Sequence, residues 1–353
     1  IFSFLPQSVL HSFDMLFAGI HIYVLEVIEW VDRHFDYPLY LSNLPIWFIL
    51  CYYFLLVTAN YFWEKERRKE AFIGFATITL LLIGYAALPY LSDKGTVTML
   101  DIGQGDAFII ELPYREGVLM IDAGAKFSFE DLQPTANNYE KIMKAYFRSN
   151  GIHRLDALIL THEDTDHAGS LAFMLEDDFI EELYISEFFQ LPEETMKLAE
   201  KNEVSIHRLE AGEAIQIKGF DITVLAPMFD KGKPNENSLV LYTELGGKSW
   251  LFTGDISKHE EMEIIRMFDF EVDVLKVAHH GSKTSTDSKF IEKLSPEVAL
   301  ISVGENNRYG HPNEEVIETL RSYDVEIYRT DLHGAVRYIF KTDSGGFHTY
   351  LPN

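Results

Sequence analysis

The sequence predicts an α/β protein: two β-sheets covered by helices, preceded by two transmembrane helices. Three observations lead there. Two runs ahead of residue 92 are almost wholly apolar and about as long as a bilayer is thick. The composition then shifts near residue 93. From that point short apolar strands alternate with segments of helical period in two successive halves. With 353 residues, 47% of them hydrophobic, the chain can bury more than one core unit.

From the N-terminus, residues 1–43 form an amphipathic or partial membrane segment. Phe13, Leu16, Phe17, Ile20, Ile22, Val24, Leu25 and Ile28 are interrupted by Asp14, His21, Glu26 and Glu29, which fits an interfacial helix or the edge of a larger bundle. The chain starts on Ile in mid-pattern with no signal-peptide layout, as the C-terminal piece of a longer protein would. Residues 44–92 hold the two expected spans, Leu44 to Phe62 and Phe72 to Leu91, with Trp47, Tyr61, Trp63 and Tyr90 at their ends as interfacial aromatics are. Two buried helices of a soluble protein are the alternative. The loop 63–71 carries Lys65, Arg67, Arg68 and Lys69, and a short basic loop stays cytoplasmic. The expectation is a multi-pass inner-membrane protein with residues 93–353 outside the cytoplasm.

In the second part, strands 96–102 and 108–112 flank the turn Gly103-Gln104-Gly105-Asp106, and strand 118–121 ends at Asp122. A helix is expected at 138–149, strand 155–160, helix 168–177, strand 182–186 and helix 192–202. Strands near 204–209, 214–217, 220–225, 238–243 and 249–253 follow. Helix 257–268, strand 272–278, helix 287–294, strand 297–303, helix 313–322 and strands 325–328 and 335–340 complete the order.

Thirty Lys and Arg against 55 Asp and Glu give a net charge of −25, which excludes broad electrostatic attraction to nucleic acid. Acting on a polyanion would require metal ions or a local basic strip. The single cysteine, Cys51, excludes internal disulfides and cysteine-rich zinc sites, and its apolar surroundings make it a packing residue.

Residues 161–170, Thr-His-Glu-Asp-Thr-Asp-His-Ala-Gly-Ser, place His162, Asp164, Asp166 and His167 on a strand-to-helix turn. Burying these groups unpaired would cost several kcal/mol, on the order of the penalty for unsatisfied polar groups. A divalent metal pair is the simplest partner, and a solvated acidic turn is the plain alternative. Further ligand types stand at strand ends, where sites on α/β folds gather. These are Asp122, Asp255 (or a helix N-cap), the pair His279-His280 (or a surface accident) and His311 (or a loop residue without chemistry).

Together these motifs resemble the metallo-β-lactamase superfamily, whose hallmark is His-x-His-x-Asp-His. In detail, residues 96–340 resemble the C-terminal domain of ComEC-type DNA-uptake channel proteins. The matching pieces are Leu-Asp-Ile-Gly-Gln-Gly-Asp-Ala at 100–107, Thr-His-x-Asp-x-Asp-His at 161–167, Asn-Ser-Leu-Val at 237–240 and Phe-Thr-Gly-Asp at 252–255. They continue with Leu-Lys-Val-Ala-His-His-Gly-Ser at 275–282, Asn-Arg-Tyr-Gly-His-Pro at 307–312 and Thr-Asp-x-x-Gly-Ala at 330–335. The resemblance implies the αβ/βα sandwich of that superfamily. It implies two divalent ions, Zn²⁺ or Mn²⁺: one held by His162 and Asp164, a second by Asp166, His167 and His280, with Asp255 between them. His279 is the alternative to His280. The chain departs from the hallmark at Asp164, and Asn235 or Asn237 stands where a third-motif His would be, so oxygen ligands weigh more and admit Mn²⁺. Asp166, Asp255 and His311 are the expected catalytic residues, with Ser282, Lys283, Arg308, Asn237 and the Ser285 hydroxyl on substrate. The implied function is a metal-dependent DNA phosphodiesterase that degrades DNA outside the membrane during import. Its partners would be DNA, the membrane, the channel domain and other competence proteins. A small-ester or lactam hydrolase and a non-catalytic DNA-binding or gating domain are the alternatives.

Overall fold

A computed structural model describes residues 41–128 and 133–351, together with Gly19, His21, Tyr23, Leu25 and Glu26. The chain divides into two compact units, Ile1–Leu39 and Tyr40–Asn353. Nearly all of the first unit, and with it the interfacial-or-bundle reading of residues 1–43, lies outside the described residues.

The second unit begins with helices α1 (Ile46–Glu64) and α2 (Arg68–Ala86), both long and apolar enough to cross a membrane. They pack where small residues meet: a Cβ on Gly74 would stand 2.7 Å from that of Ala59. Phe48, Ala59, Ala71 and Ile78 are buried, whereas Leu50, Phe54, Val57, Phe72, Leu80 and Ile83 face outward uncovered. A core helix of a soluble protein would be covered on all such positions, so the outward apolar surface favours a lipid-facing hairpin. The second helix starts earlier than expected, and Pro89 sits in a separate short turn, Leu88–Leu91, because a proline cannot continue the preceding helix.

Seventeen strands follow among the described residues. β1 (Gly95–Met99), β2 (Phe108–Glu111), β3 (Val118–Ile121), β4 (Lys126–Phe127) and β5 (Pro134–Thr135) come first. Next are β6 (Leu155–Leu160), β7 (Ile180–Ser186), β8 (Ser205–Leu209), β9 (Ala214–Ile217), β10 (Phe220–Ala226) and β11 (Val240–Leu245). β12 (Lys248–Phe252), β13 (Val274–Lys276), β14 (Val298–Ile301), β15 (Glu326–Arg329), β16 (Val336–Lys341) and β17 (Ser344–Thr349) complete the set. They build an eight-stranded sheet in the order β17-β16-β1-β2-β3-β6-β7-β8, a seven-stranded sheet in the order β15-β14-β13-β12-β11-β10-β9, and the small ribbon β4-β5.

Period-two alternation splits each sheet between two cores. Val97, Met99, Phe108, Ile110 and Ile121 meet Leu241, Trp250, Phe252 and Val274 between the sheets. Ile109, Met120, Leu158 and Leu183 point the other way, under helices that include Lys144–Asn150 and Leu171–Glu176. Leu251, Leu275 and Ala299 do the same for the second sheet, under Lys258–Met267, Ser288–Leu294 and Glu314–Ser322. Parallel pairs β3-β6 and β12-β13-β14 bring their C-terminal ends to one edge of the sandwich.

The structure differs from the expected elements at instructive places. Residues 100–102 join the loop rather than ending the first strand, because β1 and β2 pair only as far as Met99 with Phe108. The expected helix 168–177 divides into Thr165–Ala168 and Leu171–Glu176. The expected strand 272–278 stops at Lys276, and Ala278–Gly281 turns sharply with His279 and His280 at φ 51° and 53°. The ribbon β4-β5 and strand β17 were not expected. β17 reads Ser-Gly-Gly-Phe-His-Thr, without apolar alternation, and forms because a hairpin registers it on β16.

A mesh of main-chain hydrogen bonds ties the loops at the shared edge. Asp106 N donates to Asp166 O (2.9 Å), Ala123 N to His167 O (2.6 Å), Gly124 N to Asp106 O (3.0 Å) and Ala125 N to Thr165 O (2.8 Å). A Cβ on Gly124 would lie 2.1 Å from Asp166 O, so no side chain fits without moving that backbone. Gly124→Ala is expected to lower stability by about 1–3 kcal/mol, the usual cost of overpacking, read as a fall in the urea midpoint.

A second anchor is Glu261, whose buried carboxylate accepts from Thr286 N (2.6 Å) and Asp287 N (2.8 Å), fixing the loop after His280. Burial pushes its pKa up from 4.5 to about 7. A raised carboxylate pKa means that the folded state holds the proton more tightly. The contribution of Glu261 to stability is therefore fully present below pH 4.5 and is lost as pH rises through about 7. The expected loss is on the order of 3 kcal/mol across that window. Urea titrations at pH 5 and pH 8 should show a smaller difference in Glu261→Gln than in the parent chain.

Candidate metal centre

Each side chain at the shared edge is placed by a strand end and a hydrogen bond behind it. Asp122, just past β3, has φ 58°, a left-handed conformation that asparagine and aspartate tolerate better than most residues. Its carboxylate accepts from Thr161 N (2.8 Å) and Thr161 Oγ1 (2.9 Å) and from His167 Nδ1 (2.8 Å). That last bond fixes the proton on Nδ1 and turns Nε2 inward, 3.1 Å from Asp255 Oδ1. His280 Nδ1 donates to the Ser302 carbonyl (2.9 Å), so its Nε2 also faces inward, 3.4 Å from Asp166 Oδ2 and 3.5 Å from Asp255 Oδ2. His162 is 1% exposed, with Nδ1 within reach of Thr161 Oγ1 (3.1 Å) and Ser238 Oγ (3.2 Å). Asp164 Oδ2 stands 3.7 Å from His162 Nε2 on the solvent side.

The structure thus brings His162, Asp164, Asp166, His167, Asp255 and His280 together. The neighbouring histidines separate in role: His280 is 1% exposed and central, whereas the His279 side chain is 30% exposed at the rim, with Nε2 3.8 Å from Asp255 Oδ2. The tight turn that carries them places adjacent imidazoles in different surroundings.

Two buried residues that the motif reading missed complete the centre. Asp106 lies 3.6 Å from both His167 Nδ1 and His280 Nδ1. Lys276, at the end of β13, donates to the Asp106 carboxylate and to Gly254 O (2.9 Å), with Asp255 Oδ1 at 3.5 Å. The available signal was Lys276 itself: a lone cation in Val-Leu-Lys-Val-Ala is seldom buried without a partner.

Asp106 Oδ1, Asp255 Oδ1 and the Nε2 atoms of His162, His167 and His280 are buried without a hydrogen-bond partner. So many orphaned acceptors and imidazole nitrogens are costly unless something cationic bridges them. Asp106, His167, Asp255 and His280 each offer a ligand atom within 4.8 Å of the others. Ligand atoms around a tetrahedral ion with bonds of about 2.1 Å stand about 3.4 Å apart, close to the separations of His167 from Asp255 (3.1 Å) and of His280 from Asp166 (3.4 Å) and Asp255 (3.5 Å). The nitrogen and oxygen donors and their spacing fit a divalent metal.

The electrostatics are sharply divided. Burial alone would lower His167, but Asp255, Asp122 and Asp106 overcome it and hold the imidazole well above its usual range. Burial, with His167 adding to it, keeps His162 well below that range. Burial would raise Asp255, yet His167, His280 and Lys276 hold it well below. Asp166 is likewise held low by His280 against the effect of burial.

Above the cluster lies a cavity of about 560 Å³, whose lining includes Gln104, Lys126, Phe127, Asn235, Arg308 and His311. Arg308 and His311, both expected site residues, therefore face it. Four others are not brought there. Asn237 is turned into its own loop, accepting from Lys231 N (2.7 Å) and donating to Asp230 Oδ1 (2.8 Å). Ser282 Oγ bonds Thr284 Oγ1 (2.9 Å), and Ser285 Oγ donates to Ala278 O (2.8 Å), so both hydroxyls brace the turn. Lys283 is exposed and does not line the cavity.

Comparison with known proteins bears on the family. The Metallo-beta-lactamase superfamily model matches residues 100–305. "ComE operon protein 3" of Bacillus subtilis is 38% identical over 286 residues, covering 78% of this chain and 36% of that protein. "Competence protein ComA" of Neisseria gonorrhoeae is 29% identical, covering 73% of this chain and 35% of its own length. "Recombination protein 2" of Haemophilus influenzae is 31% identical, covering 70% and 29%. The chain spans about a third of the length of these relatives. With more than half of its residues inside the family model, the chain belongs to the metallo-β-lactamase superfamily, and within it the chain is similar to ComEC-type competence proteins.

Proposed function

We propose that residues 93–353 are a metal-dependent phosphodiesterase that cuts DNA during its import, on the outer side of the membrane hairpin. The observation that carries this reading is the set of buried, orphaned imidazole and carboxylate atoms at the floor of a solvent-connected cavity. The competence relatives support DNA as the substrate, and the basic residues between α1 and α2 support the extracytoplasmic side.

His167, His280, Asp166 and Asp255 would hold one ion, with His162 and Asp164 contributing to another; Asp106 is an added candidate. Divalent ions bound there supply Lewis acidity toward a phosphodiester and water activation near neutral pH. Asp122 orients His167 and fixes which nitrogen it presents. Lys276 holds Asp106 and the Gly254 carbonyl, so the loop carrying Asp255 cannot drift. His311 faces the cavity with its Nδ1 buried and unpartnered, and burial keeps its pKa below the usual value. A phosphate drawn in beside it would raise that value and allow the imidazolium to hold or protonate an oxygen.

The test uses the full chain in detergent with Zn²⁺, Mn²⁺ or EDTA, on linear and circular single- and double-stranded DNA. Metal-dependent cleavage that falls by at least about 10²–10³-fold in Asp166→Asn is expected, the scale of losing one charged partner of a transition state. Cleavage indifferent to chelator or to Asp166→Asn would overturn the reading. Turnover of a lactam or thioester in place of DNA would favour the small-substrate alternative. Independently, Asp122→Asn should weaken metal affinity about 10–100-fold in a chelator competition titration, the usual cost of losing a supporting carboxylate.

A further inference from the structure

The cavity floor is deep. Asp255 and His280 are 3% and 1% exposed, so a phosphodiester must enter the cavity to reach them. The mouth has a different character. Phe127 on β4 and Tyr309 on the loop after β14 line it, yet they are 45% and 58% exposed. Each has a cation as its neighbour in sequence, Lys126 and Arg308, and both cations line the same cavity. Large aromatic side chains left uncovered beside cations, at the entrance of a polar cavity, have the makeup of a stacking platform for nucleobases.

Tyr309 is already organised for this. Its ring lies 6.0 Å from that of His311, at 19° to it. Further inward the ring contacts turn edge-on, from His311 to His279 (5.7 Å, 69°) and from His279 to His280 (6.3 Å, 75°). A line of rings therefore connects the exposed mouth with the buried centre, and a base stacked on Tyr309 extends it outward. Lys126 lies across the loop 103–105: a Cβ on Gly103 would meet its Cε at 3.1 Å.

We propose that this mouth takes a single, unpaired nucleic-acid strand, with bases stacked on Phe127 and Tyr309 and backbone phosphates met by Lys126 and Arg308. The substrate class rests on the phosphodiesterase reading above. Two physical arguments favour one strand over two. A paired base has both faces occupied by its neighbours and is unavailable to a protein ring, whereas an unpaired base can stack at once. Duplex DNA also carries one charge per about 1.7 Å of axis against one per about 3.4 Å for each strand. The cavity is lined by Glu163 and Asp164 as well as by its cations. Such a surface repels the duplex more strongly than the single strand.

The test measures binding without cutting. The full chain carrying Asp166→Asn, in detergent, is titrated into a fluorescein-labelled oligothymidylate and into a labelled hairpin duplex of equal length, read by anisotropy. The single strand should bind at least tenfold more tightly. Adding Phe127→Ala or Tyr309→Ala should each weaken single-strand binding about 5- to 100-fold, matching the loss of one stacked base, while Tyr309→Phe keeps it. Adding Lys126→Gln should reduce the slope of log K against log salt by about 0.7. Equal affinity for duplex and strand, or single-strand affinity unchanged by both alanine variants with unchanged melting temperature, would overturn the proposal. The two readings fail separately. Strand preference without cleavage by the parent chain would sink the catalytic reading alone, and cleavage without strand preference would sink this one alone.

Discussion

Everything at the functional edge depends on one constraint, the crowding of carboxylates into a space closed off from water. Asp106, Asp122 and Asp255 are each at most 3% exposed, and Asp166 is directed into the same cluster. Taking a carboxylate out of water costs several kcal/mol even after relaxation, unless opposite charge meets it. The surroundings supply that charge in a fixed way through Lys276 and in an adjustable way through His167 and His280, whose imidazoles the carboxylates hold above their usual range. Two of the three balancing groups are thus imidazoles whose Nε2 atoms point into the cluster, where a bound cation would take over their protons' electrostatic role. The fixed group, Lys276, is tied to the Asp106 carboxylate and to Gly254 O.

The sandwich explains why the cluster sits where it does. Parallel pairing of β3 with β6 and of β12 with β13 and β14 sends five chain segments out of the two sheets at one edge. The backbone mesh joining 106, 123–125 and 165–167 then holds Asp166 and His167 to the loop before β2. Few of these contacts are with the ligand atoms themselves. The supporting layer (Asp122 on His167, Ser302 on His280, Lys276 on Asp106) sets which nitrogen or oxygen faces inward. That layer decides orientation more than the sequence spacing of the ligands does.

Residues 161–167 were legible because a strand, a polar turn and a helix start in ten residues leave few places for two imidazoles and two carboxylates. The two apolar helices were legible from length and composition. Choosing between His279 and His280 was not, since it depends on two consecutive left-handed residues and on a carbonyl from Ser302, remote in sequence. Asp106 looked like a turn residue because Gly-Gln-Gly-Asp is a turn signal; its burial comes from Asp166 O, sixty residues on. Asn237, Ser282 and Lys283 belong to the motifs that flank the site, yet their side chains face their own loops or solvent. Adjacency in a motif carries no information about which way a side chain points.

Under the phosphodiesterase reading, the acidic composition and a polyanionic substrate are compatible only because charge is distributed unevenly in depth. At the floor, Lys276, His167 and His280 partly offset the carboxylates, and under the proposed reading divalent ions would complete that balance. At the mouth, Lys126 and Arg308 stand beside exposed aromatic rings. Attraction there is short-ranged, since the Debye length is about 8 Å at physiological salt, and beyond it the net charge of −25 is mostly screened rather than felt. On the reading proposed above, a strand is therefore not gathered from a distance by this domain; it would have to be delivered close to the mouth before stacking and local charge take hold.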